Sequence, residues 1–328
     1  IVGYNGTPYL ANCIDSLFDQ TLSREAYEII YIDNNSTDNS VAFVQDHFPD
    51  VVVVACEKNL GYYGGFNHVA KTIAHGEYLL ALPQDTILHR ECLQSLVQVA
   101  NNDPQMMIGL ANTINPFSSE YEAKDLQGWP QHVYWFSMNR FGQTNMVVHK
   151  FFQESRPILA YSGISALIRS DVQHYLGGYF DDTLSHLVGD TELGIRANVL
   201  GYSCKIIPTA VIFHIEDNKK FTNRVFLWRS FVAARDSIVI YWKLMYSFEF
   251  LLFTPFLLFG QATKVFTLRF PFWQRLILFI PALLLSPVTF IFALTRMTEF
   301  SQSRKDILDR RTTGYFYLLR TTLMQHLS

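Results

Sequence analysis

Four short polar clusters carry most of the side chains that could do chemistry, and each follows an apolar run. Tyr4-Asn5-Gly6 comes after Ile1-Val2, and Asp33-Asn34-Asn35-Ser36-Thr37-Asp38 after Tyr27–Ile32. Asn59 to Asn67 (NLGYYGGFN) comes after Val51–Ala55, and Pro83-Gln84-Asp85-Thr86 after Tyr78–Leu82. A lone Asp-Asn-Asn-Ser is ordinary turn chemistry. Four such clusters in succession describe a binding edge, because ligands of open α/β sheets lie beyond the carboxyl ends of the strands. Two later segments add an acidic pair, Asp190 and Glu192 in GDTELGIR, and a histidine, His214, closing KIIPTAVIFH. A carboxylate within reach of a hydroxyl serves as a general base. A divalent cation or fixed positive groups stabilise a leaving diphosphate. The Gly-rich loop is neither G-x-G-x-x-G nor a Walker loop, which argues against a Rossmann oxidoreductase or a P-loop enzyme. Gly64-Gly65 are expected to open a helix whose N–H groups could face a pyrophosphate.

The elements that must position these groups alternate. Pro8 to Gln20 repeats apolar residues at helical spacing, Tyr27–Ile32 reads as a buried strand, and a helix runs on to Phe48. Strand Val51–Ala55, helix Phe66–His75, strand Tyr78–Leu82, helix Arg90–Asn101 and strand Met106–Ala111 follow. Such alternation predicts an α/β fold with a doubly wound, mostly parallel sheet. Residues 112–157, with Trp129, Tyr134, Trp135 and Phe136, read as an irregular insertion.

Composition separates the two ends of the chain. Of 328 residues 49% are hydrophobic and only 17% charged, below the roughly 25% of an average soluble protein. The net charge of −3 gives no basic footprint for nucleic acid. Cys13, Cys56, Cys92 and Cys204 are scattered, as reduced core thiols on a cytosolic face would be. The opening residue is Ile1 rather than Met, so a few preceding residues are expected, and no signal peptide is visible. Residues 244–300 hold six charges and twelve of the 27 Phe, and Leu276–Thr295 has no charge over twenty residues. That length spans a bilayer core as a helix. With Phe250–Gly260 it suggests a membrane hairpin, which leaves the N-terminal domain and a tail bearing Arg304, Lys305, Arg310, Arg311 and Arg320 both on the cytosolic side.

The motifs, taken in order, resemble the family 2 glycosyltransferases of GT-A fold, in a rhamnosyltransferase-like variant. IVGYNG looks like the opening strand of that family, and IIYIDNNSTDNS is similar to its V-D-N-x-S-x-D. NLGYYGGFN is similar to N-x-G-x-x-G-G-x-N, and YLLALPQDT to L-x-D-x-D or L-D-Q-D-S. GISALIRSDVQHYLGGYFDD resembles the G-x-x-x-x-x-R-R segment with its G-G-F-D-E. GDTELGIRANVLGYSCKIIPTAVIFHIE resembles E-D-x-D-L-x-x-R running to a terminal His. The likeness covers about residues 1–240.

The resemblance implies a GT-A nucleotide-diphospho-sugar transferase domain over 1–220, a juxtamembrane helix over 221–245, a membrane hairpin or transmembrane region over 246–298 and a basic tail over 299–328. It implies an inverting transfer from a nucleotide-diphospho sugar to a lipid-linked or surface-glycan acceptor. Tyr4, Asn5, Asp33, Asn35, Gly64, Gly65, Asn67 and Gln84 match donor-binding positions. Asp85 and His214 match the positions that hold a divalent metal, Mg or Mn. Asp190 matches the catalytic base, with Glu192 the close alternative, although Glu192 and Arg196 at i,i+4 are also explained as a surface pair. The chain departs from the pattern twice: Pro83 replaces the first acid of the D-x-D motif, and Gly189 the Glu before the base. Those departures keep open a non-catalytic scaffold that binds sugar nucleotide. A nucleotidyltransferase of similar sheet lacks support, since no early Lys-bearing Gly-rich loop is present.

Overall fold

The computed structural model describes residues 1–114, 132–138, 144–159, 165–185, 187–215, 223–263 and 272–314. In chain order the first half runs β1 (Val2–Gly3), α1 (Thr7–Phe18), β2 (Ile30–Asp33), α2 (Ser40–His47), β3 (Val52–Ala55), α3 (Gly61–Thr72), β4 (Tyr78–Ala81), β5 (Thr86–Leu88), α4 (Cys92–Asn102) and β6 (Met106–Ile114). There follow β7 (His132–Met138), β8 (Thr144–Lys150), β9 (Arg156–Ile158), β10 (Ala166–Arg169), α5 (Val172–Tyr175), α6 (Gly189–Val199) and β11 (Ser203–His214). Helices α7 (Asn223–Leu244), α8 (Ser247–Thr263), α9 (Phe272–Met297) and α10 (Ser301–Arg310) complete the described chain.

Strands β1, β2 and β3 pair in parallel. Val2 also bridges Pro83 in parallel, and its amide donates to the Leu82 carbonyl at 2.8 Å, so this sheet abuts the end of β4. Beyond that seam the order is β4-β10-β6-β11-β5, with β9 on β11. Here β10 runs antiparallel to both its neighbours, and β11 is parallel to β6 but antiparallel to β5 and β9. The expectation of a mostly parallel sheet therefore holds for the first three strands and for the β6–β11 pair, while the remaining pairings are antiparallel. Hydrophobic periodicity detects a strand but not its direction, and β10 reaches β4 from ninety residues downstream.

Two further expectations are corrected. The segment 112–157 is not wholly irregular, since β7 and β8 form an antiparallel ladder from His132↔Lys150 to Met138↔Thr144. Trp129 lies outside the described residues. Helix α3 begins at Gly61, five residues earlier than periodicity suggested, because the GYYGG run supplies its first turns. Gly61 takes a φ of +70°, a conformation glycine adopts without penalty.

The C-terminal helices share the domain's core. Buried Ile238, Tyr241, Phe250, Phe253 and Ile307 join the same cluster as Leu193 of α6 and Ile168 of β10. Three of the arginines expected in a basic tail, Arg304, Arg310 and Arg311, are internal staples, and Arg320 lies outside the described residues. Arg304 donates to the carbonyls of Trp242 and Met245, Arg310 to that of Tyr175, and Arg311 to that of Leu244 and to Glu249. Among the described residues no helix is long and apolar enough to cross a membrane, so the expected hairpin over 246–298 finds no support there. The four cysteines are free, and Cys13, Cys92 and Cys204 are buried.

Candidate active site

The polar strand ends meet along one edge and are knitted together by their own side chains. Asn5 sits at φ +50° and its Oδ1 accepts the Thr37 amide at 2.8 Å, while the Asn5 amide donates to Ser36 Oγ at 2.9 Å. Asp38 accepts from the amide and hydroxyl of Thr7 and from the amide and hydroxyl of Ser40. Partial burial pushes its carboxyl pKa up, but these bonds outweigh burial and hold it below the usual range. Asp33 is almost fully buried. Its Oδ1 accepts the Tyr31 hydroxyl at 3.2 Å and its Oδ2 the Ser36 amide at 2.9 Å, which fixes the turn after β2.

The Gln84 side-chain amide makes two 3.0 Å bonds to the Tyr4 main chain, its Oε1 accepting the Tyr4 amide and its Nε2 donating to the Tyr4 carbonyl, which ties the end of β4 to that of β1. A Cβ on Gly6 would lie 1.7 Å from Gln84 Oε1, so the side chain fills the space glycine leaves. The Tyr4 ring is exposed. Asn35 takes φ +63° in the same turn. It is the neighbouring Asn34, passed over in the sequence, that joins two loops: its Nδ2 donates to the Gly61 carbonyl and its Oδ1 accepts the Leu60 amide. Gly65 makes room for it, with Asn34 Oδ1 only 3.1 Å from the position of an added Cβ. Because α3 starts at Gly61, Gly64 and Gly65 lie inside the helix rather than at its opening. Asn67 is buried and spends its amide on Phe180, donating to the carbonyl at 2.8 Å and accepting the amide at 3.2 Å. It clamps α3 to the turn that precedes α6.

Asp85 and His214 come together. Antiparallel pairing of β5 with β11 sets His214 opposite Thr86, and His214 Nε2 lies 3.3 Å from Asp85 Oδ2. Both side chains are partly exposed, as a site that meets a ligand requires. The Asp85 carboxylate suits Mg or Mn, whereas the His214 imidazole is a ligand type more at home on Zn, Cu, Fe or Ni. Among the described residues no group of three or more metal-binding side chains occurs, so phosphate oxygens or water would have to complete a shell. The Tyr62 phenol feels the charges of both Asp190 and Asp85. Burial raises its phenol pKa most, followed by the charges of Asp190 and then Asp85.

Asp190 sits in the first turn of α6, where the helix N-terminus favours negative charge. It is 7% exposed, and its Oδ1 accepts the Thr191 amide at 2.7 Å. Its own amide donates to the Tyr63 hydroxyl at 3.2 Å. Glu192 is fully buried. It pairs with Arg196 at 3.0 Å as the i,i+4 spacing suggested, but the pair is not on the surface, and Lys243 from α7 lies 2.8 Å from its other oxygen. Arg196 also donates to the carbonyls of Leu176, Gly178 and Tyr179. This makes Glu192 the centre of an internal brace. Lys243 was not legible as part of the site, because it lies about fifty residues downstream on a helix with no motif.

The architecture is that of a GT-A-like α/β glycosyltransferase fold. It aligns with the crystal structure of S. aureus TarS 1-349 in complex with UDP-GlcNAc at a TM-score of 0.55 and 13% identity, over 94% of this chain and 90% of that one. GalNAc-T7, crystallised with UDP, GalNAc and Mn2+, aligns at 0.57 and 16% identity over 74% and 50%. Residues 1–157 match the family described as Glycosyl transferase family 2. The match stops short of Asp190 and His214. In sequence, 93 residues are 37% identical to the poly(ribitol-phosphate) beta-glucosyltransferase of Bacillus spizizenii, covering 27% of this chain and 15% of that protein. The chain spans less than half the length of each of the curated relatives it matches.

Proposed function

We propose that the chain is an inverting glycosyltransferase that moves a hexosyl or rhamnosyl group from a nucleotide-diphospho sugar to a hydroxyl of a lipid-linked or cell-envelope glycan. The observation that carries this reading is the pairing of Asp85 with His214 where β5 meets the end of β11, with Asp190 in the first turn of α6. In the transfer, the acceptor oxygen forms a bond to the sugar's anomeric carbon as the bond to the diphosphate oxygen breaks. The acceptor proton passes to the Asp190 carboxylate, and the bonding pair leaves with the diphosphate. Asp85 and His214 are the residues that would hold a divalent metal, whose charge would stabilise the leaving diphosphate. The loops fixed by Asn5, Asp33, Asn34 and Gln84 would receive the nucleoside and diphosphate.

A panel of nucleotide-diphospho sugars, scored by nucleotide release with Mg or Mn present, tests the activity. One donor should be turned over, and Asp85→Ala should weaken donor or metal binding about 10–100-fold in calorimetry, the usual cost of disturbing a metal shell. Donor binding without any release across the panel would turn the assignment toward a sugar-nucleotide-binding scaffold.

The acceptor side of the proposal draws on exposed apolar faces. Phe248, Leu251, Leu252 and Phe259 of α8 and Val288, Ile291, Phe292 and Leu294 of α9 are exposed. Exposed apolar residues gathered on helices mark interaction sites, and laid flat such helices suit a membrane interface without a crossing. The chain is expected to sediment with phosphatidylcholine–phosphatidylglycerol vesicles. Leu251→Asp with Ile291→Asp should abolish that without changing the melting temperature. Equal sedimentation of both proteins would remove the membrane from the proposal.

A further inference from the structure

The departure at Gly189 has a physical counterpart at Tyr63, which is distant in sequence but touches it in the fold. A Cβ built on Gly189 would lie 2.5 Å from Tyr63 Cε2, 2.8 Å from Cδ2 and 3.0 Å from Cζ. Real Cβ atoms do not approach a ring so closely, so any side chain at 189 would displace Tyr63. The ring is also fixed on its other side, stacked on Phe180 at 4.6 Å between centroids. Phe180 is the residue whose backbone Asn67 clamps on both its polar groups. The Tyr63 ring, carried by α3, is therefore held between Phe180 and the first residue of α6. Its hydroxyl ends 3.2 Å from the Asp190 amide. Burial first, then the charge of Asp190, holds its phenol pKa well above the ordinary value, so the group stays a neutral hydroxyl.

We infer that Tyr63 is a positioning residue for Asp190, and that it occupies the space of the side chain that Gly189 lacks. The inference rests on Asp190 being the general base. In that role Asp190 must hold a fixed rotamer and depth, and a misplacement of even 1 Å can cost about 100-fold in rate. The hydroxyl anchors the residue by its backbone, and the phenol ring, seated where Gly189 has no Cβ, blocks a shift of the α6 terminus toward α3. The absent acid is thus replaced by a neutral hydroxyl from another element, and the site keeps one carboxylate at this point instead of two adjacent ones.

The test uses the full chain and the donor it turns over fastest. Tyr63→Phe keeps the ring and removes the hydroxyl. It is expected to lower kcat about tenfold, the usual effect of deleting one hydrogen bond to a reacting group's support. Donor affinity by calorimetry and the melting temperature should stay at wild-type values, a split that a merely structural residue would not give. Gly189→Ala pushes the same ring aside and should lower kcat at least as much. Should Gly189→Ala fold poorly, Tyr63→Phe alone decides. Combining Gly189→Glu with Tyr63→Ala should recover activity relative to Gly189→Glu alone, because the space is exchanged. A Tyr63→Phe protein within twofold of wild-type kcat overturns the inference. Full turnover in Asp190→Asn would instead overturn the assignment of the base, so the two failures are distinct.

Discussion

Asp190→Asn is expected to reduce sugar transfer by about 10²–10⁴-fold, the range general-base assistance supplies, and to leave donor affinity nearly unchanged. The substitution keeps the shape of the side chain. It also keeps the Asp190 amide on the Tyr63 hydroxyl and an oxygen for the Thr191 amide. What it removes is the basic oxygen that takes the acceptor proton in the transition state, so the loss falls on kcat rather than on ground-state binding. Glu192→Gln should fail differently. Its carboxylate is spent on Arg196 and Lys243 inside the protein, and losing that charge lowers stability before it touches chemistry. Steady-state kinetics with calorimetric donor titration, each at matched folding, separates the two. If Glu192→Gln lost turnover at unchanged stability while Asp190→Asn kept it, the base would be Glu192.

The edge of the site was legible because strand ends announce themselves. Asp33, Gln84 and Asp85 each follow a short apolar run, and the sheet brings those runs side by side. His214 was legible for the same reason, at the end of β11, and the antiparallel partnership with β5 sets it beside Asp85. Strand direction was not legible. Residues of β10 show the same buried apolar pattern whichever way they run, so the antiparallel placement between β4 and β6 had to come from three dimensions. Side-chain roles within the loops were legible by type only. The Asn35 position looked like the ligand-facing one, yet Asn34 carries the loop-to-loop bonds, a matter of which way a left-handed residue turns its neighbour. Gly189 read as a defect until Tyr63 was seen against it. The arginines at 304, 310 and 311 read as a charge run, since sequence cannot show that backbone carbonyls at the ends of α5 and α7 receive them.

Lys243→Met should be the most destabilising of the charge removals, by roughly 3–5 kcal/mol, the cost of stripping one partner from a buried ion pair. Lys243 is 2% exposed, with its Nζ 2.7 Å from Asp181 Oδ2 and 2.8 Å from Glu192 Oε1. Met matches its length and adds no cavity, so the loss is electrostatic: Asp181 is left inside with the Thr183 hydroxyl, and Glu192 with Arg196 alone. Urea unfolding should show a lower midpoint at unchanged slope. The pH dependence gives an independent check. Burial pushes the Asp181 carboxyl up, but attraction to Lys243 and the hydrogen bonds from Lys243 and Thr183 prevail, so its pKa in the fold lies below the ordinary value. A depressed carboxylate contributes stability above its unfolded pKa, near about 4, and that contribution is lost as pH falls through the lower folded value. The gap between wild type and Lys243→Met should therefore be full at neutral pH and narrow below about pH 4, where protonation removes the charge that Lys243 had balanced. A gap under about 1 kcal/mol at neutral pH, no more than a surface pair yields, would mean that the brace between α7 and α6 does not hold the helix that carries Asp190.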